Sequence, residues 1–241
     1  MSFYGQYRKL SQAELKEKAR NTIEKLRSKG QELQPVEITG RHIATSWWAK
    51  AWVDNLDRYA DWDYRVDRGK SYVRANCVID LRVSRGKILG QVIGTRSNPY
   101  QVHISIDPMH KANIQTLLDS INQKAESLEK LILGDFPETL KDKLYAAKDG
   151  IFPSVDEIHL SCNCPDYADL CKHAASVLLS LAPRIDSNPT VLFELRGIDM
   201  NDFIQTSVSN IVSNMVSNAN QPSQRILTAS DEELSQIFGV I

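Results

Sequence analysis

Residues 162–173 read Cys162-Asn163-Cys164-Pro165-Asp166-Tyr167-Ala168-Asp169-Leu170-Cys171-Lys172-His173. Three cysteines and one histidine, spaced C-x-C-x6-C-x-H, offer four soft or borderline donors, the number and type that a closed tetrahedral zinc site takes. Cys162 and Cys164 end the segment 158–161, and side chains at i and i+2 on a strand project from one face. Pro165 and Asp166 then turn the chain. Cys171 and His173 open an apolar run over 174–181 that reads as a helix stopped by Pro183. Deep inside a helix an i, i+2 pair points to nearly opposite sides. With Cys171 in the incoming loop and His173 on the first turn, both reach one ion, and a helix N-terminus favours thiolates. The pattern predicts a strand–turn–helix finger with one structural Zn2+ held by Cys162, Cys164, Cys171 and His173.

Other chemistries fit less well. A Cys162–Cys164 disulfide would close a strained ring. The opening Met1-Ser2-Phe3-Tyr4-Gly5-Gln6-Tyr7-Arg8 has no apolar leader core, so a reducing cytoplasmic location is expected. Iron–sulfur ligation usually takes four cysteines, and the fourth, Cys77, is far away. A catalytic zinc keeps one position open, whereas this set has four protein donors. The odd offset of His159 from Cys162 turns it to the opposite strand face. Zinc binding to finger-type sites is worth ~10–16 kcal/mol, so removing the ion should unravel this segment.

The ligand pattern, with Cys-Pro-Asp-Tyr and Cys-Lys-His-Ala-Ala around it, resembles the SWIM-type zinc finger in its bacterial and archaeal form. Residues 47–52 (Trp-Trp-Ala-Lys-Ala-Trp), 68–74 (Arg-Gly-Lys-Ser-Tyr-Val-Arg), 94–100 (Gly-Thr-Arg-Ser-Asn-Pro-Tyr) and 195–197 (Leu-Arg-Gly) are similar to the regions that flank the finger in proteins accompanying Swi/Snf-type helicase-like ATPases. The resemblance covers roughly residues 40 to 200. It implies zinc binding, interaction with DNA, RNA or a protein partner such as the helicase-like ATPase, and no established catalysis. Tyr167 stands where the family usually has an aromatic, often tryptophan.

The elements that must position these ligands follow from periodicity. Ser11-x-x-Glu14 is a capping-box signature before a helix that ends at Gly30. Residues 31–40 read as an extended link. Thr45 or Ser46 can cap a helix carrying Trp48, Trp52 and Leu56 on one stripe, a core face or else a base-stacking platform. Val73, Ala75, Cys77, Ile79, Leu81 and Val83 alternate with polar residues as a half-buried strand, which makes Cys77 a small buried hydrophobe. A turn at 84–87, a strand over 88–93 and another over 99–106 complete an antiparallel meander, one face buried and the other polar and basic. Helices are expected from Asp107-Pro108 through Ile114, Leu118, Ile121, Ala125, Leu128 and Leu131, from 137 to 148, from 189 to 197, over 202–218 and after Ser230.

Net charge is −1 over 241 residues, with 42% hydrophobic and 24% charged residues, as in an ordinary globular protein. Eight cations against two carboxylates between Arg65 and Arg96 leave +6 there and −7 elsewhere. Such asymmetry signals a partner. Arg68, Lys70, Arg74 and Arg96 are candidates for phosphate contacts, two of them in glycine-containing turns, although basic residues on a sheet also serve as solvated edge protection. Lys172 either balances the thiolates or reaches a partner's phosphate. No zincin, nucleophile-elbow or phosphate-loop motif is present. The sequence thus describes an α+β protein: an N-terminal helix and link (1–40), a basic sheet domain (41–135), a helix with the finger (136–200, core 158–182) and a helical tail (201–241). Its expected role is an interaction adaptor with no membrane association. A purely protein-binding scaffold is the contrasting reading, and an uncharacterised hydrolase or nuclease the third.

Overall fold

The computed structural model describes residues 10–38, 40, 42–58, 63–122, 141–144, 150–166 and 168–219. Helix α1 (Gln12–Arg27) opens on the expected capping box: the Ser11 hydroxyl accepts from the Glu14 amide, and the Glu14 carboxylate accepts from the Ser11 amide. The link after it runs extended along the first strand, its Val36 amide donating to Val78 and its Gln34 carbonyl accepting from Leu81. Ser46 caps α2 (Trp47–Asp57). Trp52 and Leu56 are buried, Trp48 is half-buried, and the Trp52 indole donates to the Leu178 carbonyl at 2.8 Å. The tryptophan stripe therefore packs inward.

Residues 63–74 form helix α3 (Asp63–Arg74), which corrects the long strand expected from Val73 onward. Val66, Gly69 and Val73 are buried at helical spacing. The central glycine, a poor helix former, makes the period look like a turn. Asn76 then adopts φ 52°, and its side-chain oxygen accepts from the Ile38 amide at 3.0 Å. Strand β1 (Val78–Ser84) begins only after this reversal. Arg68 and Lys70 thus sit within a helix and Arg74 at its end, not in turns or on a sheet face.

Strands β1, β2 (Lys87–Val92) and β3 (Tyr100–Ile106) form the antiparallel meander, with Gly86 at φ 67° in the first turn. Along β3, Tyr100, Val102, Ile104 and Ile106 are buried while Gln101, His103 and Ser105 are exposed. The finger supplies the fourth strand, β4 (Ile158–Cys162), antiparallel to β3 with Cys162 opposite Val102. Segments read as sheet and finger thus share one sheet.

Next come α4 (Lys111–Asn122), α5 (Lys141–Leu144), α6 (Lys172–Leu179), α7 (Leu181–Ser187), α8 (Thr190–Leu195) and α9 (Met200–Ala219). The expected positions Ala125, Leu128 and Leu131, most of the 137–148 helix, Tyr167 and the helix after Ser230 lie outside the described residues. Helix α6 ends at Ser180, and Pro183 falls instead in the first turn of α7, where its missing N–H has no intrahelical partner to lose. Gly197, at φ 75°, follows α8. Among the described residues no helix is long and apolar enough to cross a membrane.

Helix α6 is the centre of the molecule. Every residue from His173 to Leu179 is buried, the mark of a helix enclosed on all sides. It lies across the inner face of the sheet and against α3. Two glycines admit it: a Cβ on Gly69 would lie 2.7 Å from the Ala175 Cβ and 3.0 Å from that residue's backbone, and one on Gly90 would lie 2.4 Å from a Val177 methyl. Arg196, 4% exposed, locks the sheet to α8 by donating to the Glu157 carboxylate at 2.6 Å and the Asp107 carbonyl at 2.8 Å.

Candidate metal centre

The four expected donors converge. The ligand atoms of Cys162, Cys164, Cys171 and His173 all lie within 4.8 Å of one another. Cys162 ends β4 on the inner face of the sheet, and Cys164 follows two residues later. Cys171 is the N-cap of α6, its sulfur accepting from the Ala174 amide at 3.4 Å, and His173 stands on the first helical turn, as the spacing predicts. The His173 Nδ1 is 3.9 Å from the Cys162 sulfur. A tetrahedral zinc with bonds of about 2.3 Å to sulfur spaces its thiolates about 3.8 Å apart, so the donor set fits one such ion.

The thiols and the imidazole act on one another's protons. A hydrogen bond with Cys171 pushes the Cys162 thiol up, and burial pushes Cys164 up. Cys171 is pushed well down, first by the bond from Cys162 and further by the His173 and Ala174 donors. The three sulfurs thus form one hydrogen-bonded set, and a divalent ion binds such groups as thiolates, releasing their protons. Burial holds His173 below its ordinary value, in the neutral form that ligates.

Packing orients the imidazole. Metal-bound histidines usually donate their second nitrogen to an acceptor. Here Nε2 is buried without a hydrogen-bond partner among the described residues, facing Gly94, where a Cβ would lie 3.2 Å from it. Tyr100 instead stacks on the ring at 3.9 Å between centroids and 18° between planes, and Tyr72 meets it edge-on at 5.5 Å. Each tyrosine carries a cation on its own ring, Arg96 over Tyr100 at 5.1 Å and Lys172 over Tyr72 at 5.6 Å. Ligand spacing gave no hint of the two tyrosines. The available signal was the strand alternation, which turns Tyr100 to the same inner face as Val102, the residue opposite Cys162. His159, as its odd offset implied, faces outward and pairs with Asp107 at 3.0 Å. Cys77 is fully buried away from the cluster, its thiol pushed up to about 12 by burial.

The basic residues separate into two groups. Arg65 pairs with Asp166 of the finger loop at 2.6 Å, Lys70 with Asp57 at 2.9 Å and Asp67 at 3.5 Å, and Arg82 with Asp80 at 3.0 Å. Asp57 and Asp166 come from outside the basic stretch, so local charge counting missed them. Arg96 reaches across to the Asn163 carbonyl at 3.0 Å. Arg74 is exposed at the end of α3 and is not free of partners. Arg68 and Lys172 remain. They line one cleft, with no carboxylate within ion-pairing distance among the described residues. Burial first, then the nearby Arg68 charge, lowers the Lys172 ammonium below its ordinary value.

Residues 145–182 match the SWIM zinc finger family model, an interval that contains all four donors. A protein of Mycobacterium tuberculosis, described as uncharacterized, is 32% identical over 163 residues, which is 67% of this chain and 58% of that protein. The chain thus spans less than two thirds of that relative's length. No solved structure matches.

Proposed function

From a chain that carries a SWIM zinc finger with a structural zinc site at its core, we propose an interaction module that binds nucleic acid beside the metal. The observation that supports this most is the pair Arg68 and Lys172, held next to each other at the start of the zinc-anchored helix while neighbouring cations are spent on carboxylates. Among the described residues neither charge has a carboxylate within ion-pairing distance, and the acidic groups that act on Lys172 from further off are Cys164, Asp166 and Cys171 of the finger. Two like charges so placed favour a polyanion, and helix N-termini add to that preference. With four protein donors the zinc shell is filled, which supports a scaffolding role and leaves no position on the ion for substrate. The protein partner we propose is a helicase-like ATPase, on the resemblance alone, in the reducing cytoplasm that free thiols require.

Titration of zinc-loaded protein with labelled oligonucleotides tests the reading. Binding should fall steeply with salt and weaken in Arg68→Ala. Absence of binding at low salt would favour the protein scaffold. That second reading has its own support in α9, where Val208, Val212, Met215 and Val216 expose an apolar stripe.

A further inference from the structure

We propose that the nucleic acid bound is single-stranded, its phosphates entering the cleft between α1, α3 and the start of α6 while a base stacks on Tyr64. The inference rests on the nucleic-acid reading above and adds the form of the ligand and the residues that select it. The cleft has a volume of about 440 Å3 and is lined by Arg68, Ser71, Tyr72, Thr95, Lys172 and Glu14 among others. Glu14 is the acid on its rim, and its carboxylate is engaged by the Ser11 amide at 2.8 Å and hydroxyl at 2.9 Å. Lys172 lies over the Tyr72 ring on the cleft wall, so its charge is reached from within a concavity and not from a flat surface. A flexible strand can feed a phosphate into such a recess. A duplex presents its phosphates on the outside of a stiff cylinder.

Tyr64 supplies the independent observation. It lies one helical turn before Arg68 on α3, whose guanidinium sits 5.6 Å from its ring centroid. It is nevertheless 69% exposed, the most exposed large apolar residue among the described residues. An aromatic ring left in water beside a phosphate-binding cation is how non-specific single-strand sites are built, because each unpaired base offers a π-face. Base faces within a duplex are already stacked and cannot use it. The stripe Tyr64, Arg68 and Tyr72, continued by Lys172, therefore alternates rings and cations along one edge of the molecule.

The test is fluorescence anisotropy of the full, zinc-loaded chain with oligothymidylate, oligouridylate and a duplex of equal length, each over a salt series. Both single strands should bind more tightly than the duplex. Tyr64→Ala should weaken single-strand binding by about tenfold while Tyr64→Phe preserves it. With zinc content unchanged, the double variant Arg68→Gln/Lys172→Gln should lower the log–log salt slope by about 1.4, two phosphates at about 0.7 each. Duplex binding as tight as single-strand binding, or single-strand binding indifferent to Tyr64→Ala, would overturn this inference and leave nucleic-acid binding standing. Failure of every oligonucleotide to bind at low salt would overturn both.

Discussion

His173 has a neutral imidazole facing three sulfurs on one side and, among the described residues, no acceptor for its second nitrogen on the other. Its orientation must therefore come from the rings around it, chiefly the stacked Tyr100. Removing that stack should lower zinc affinity by about the 10–100-fold typical of losing an orienting partner. We expect Tyr100→Leu to show this in competition with a chromophoric chelator, with Tyr100→Phe close to the parent. Equal affinity in all three would mean the chain path alone sets the ring. The four ligands were legible in the sequence because C-x-C and C-x-H place their donors within a strand end and a helix start. The tyrosines were not, because Tyr72 and Tyr100 reach His173 only when α3, β3 and α6 are packed. The same holds for the sorting of Arg65 and Lys70 from Arg68 and Lys172, which depends on Asp166 and Asp57, carboxylates distant in sequence.

The elements around the ligands fall into those that periodicity announced and one that it disguised. The Ser11–Glu14 capping box, the β3 alternation and the 3.6-residue pattern of α9 were readable because neighbouring residues share one environment. Around the end of α3 the buried Val73, Ala75 and Cys77 belong successively to a helix end, a turn and the approach to a strand, so a period of two arose without a strand. Gly69 is the residue that distinguishes the cases. In an ordinary exposed helix Gly→Ala is worth up to about 1 kcal/mol in favour of the alanine. At position 69 the new methyl would meet the Ala175 Cβ and the backbone of α6 at 2.7–3.0 Å, and overpacking costs about 1–3 kcal/mol. Gly69→Ala should therefore lower the melting temperature, by about 2–4 °C per kcal/mol for a chain of this size. A rise would show that α3 and α6 separate more easily than their packing implies. The Arg196–Glu157 tie adds a pH signature to the same scaffold. Burial raises the Glu157 carboxyl, but Arg196 and the Ser154 donors outweigh it and bring it below the usual 4.5. A carboxyl lowered on folding contributes fully above its unfolded value, and that contribution is lost as pH falls through the folded one. Glu157→Gln should cost about 1.5–3 kcal/mol at neutral pH and flatten the decline in stability below about pH 4.5, measured by urea unfolding over a pH series.

For the molecule as a whole, the finger's place at the centre changes what metal removal should do. Ligand spacing alone suggests an ion that holds one hairpin and one helix start, so that chelation would unravel residues 158–182 and spare the rest. But β4 is the fourth strand of the sheet, α6 is the buried helix between that sheet and α3, and the Trp52 indole of α2 is bonded to the Leu178 carbonyl on α6. Loosening Cys162 frees the inner edge of the sheet beside Val102, and loosening Cys171 and His173 frees the N-terminal half of the helix that every layer contacts. Zinc worth ~10–16 kcal/mol is as large as the whole stability of an ordinary domain, about 5–15 kcal/mol, so its loss is enough to unfold the shared core. Stripping the ion with a strong chelator should therefore abolish far-UV helicity and shift tryptophan emission together, in one transition, with recovery on adding back stoichiometric zinc. His173→Ala should produce the same state without chelator. Retention of most helicity with loss confined to one proteolytic site near residues 162–173 would mean that α6 is held by its apolar packing and that the zinc shapes only the surface beside it.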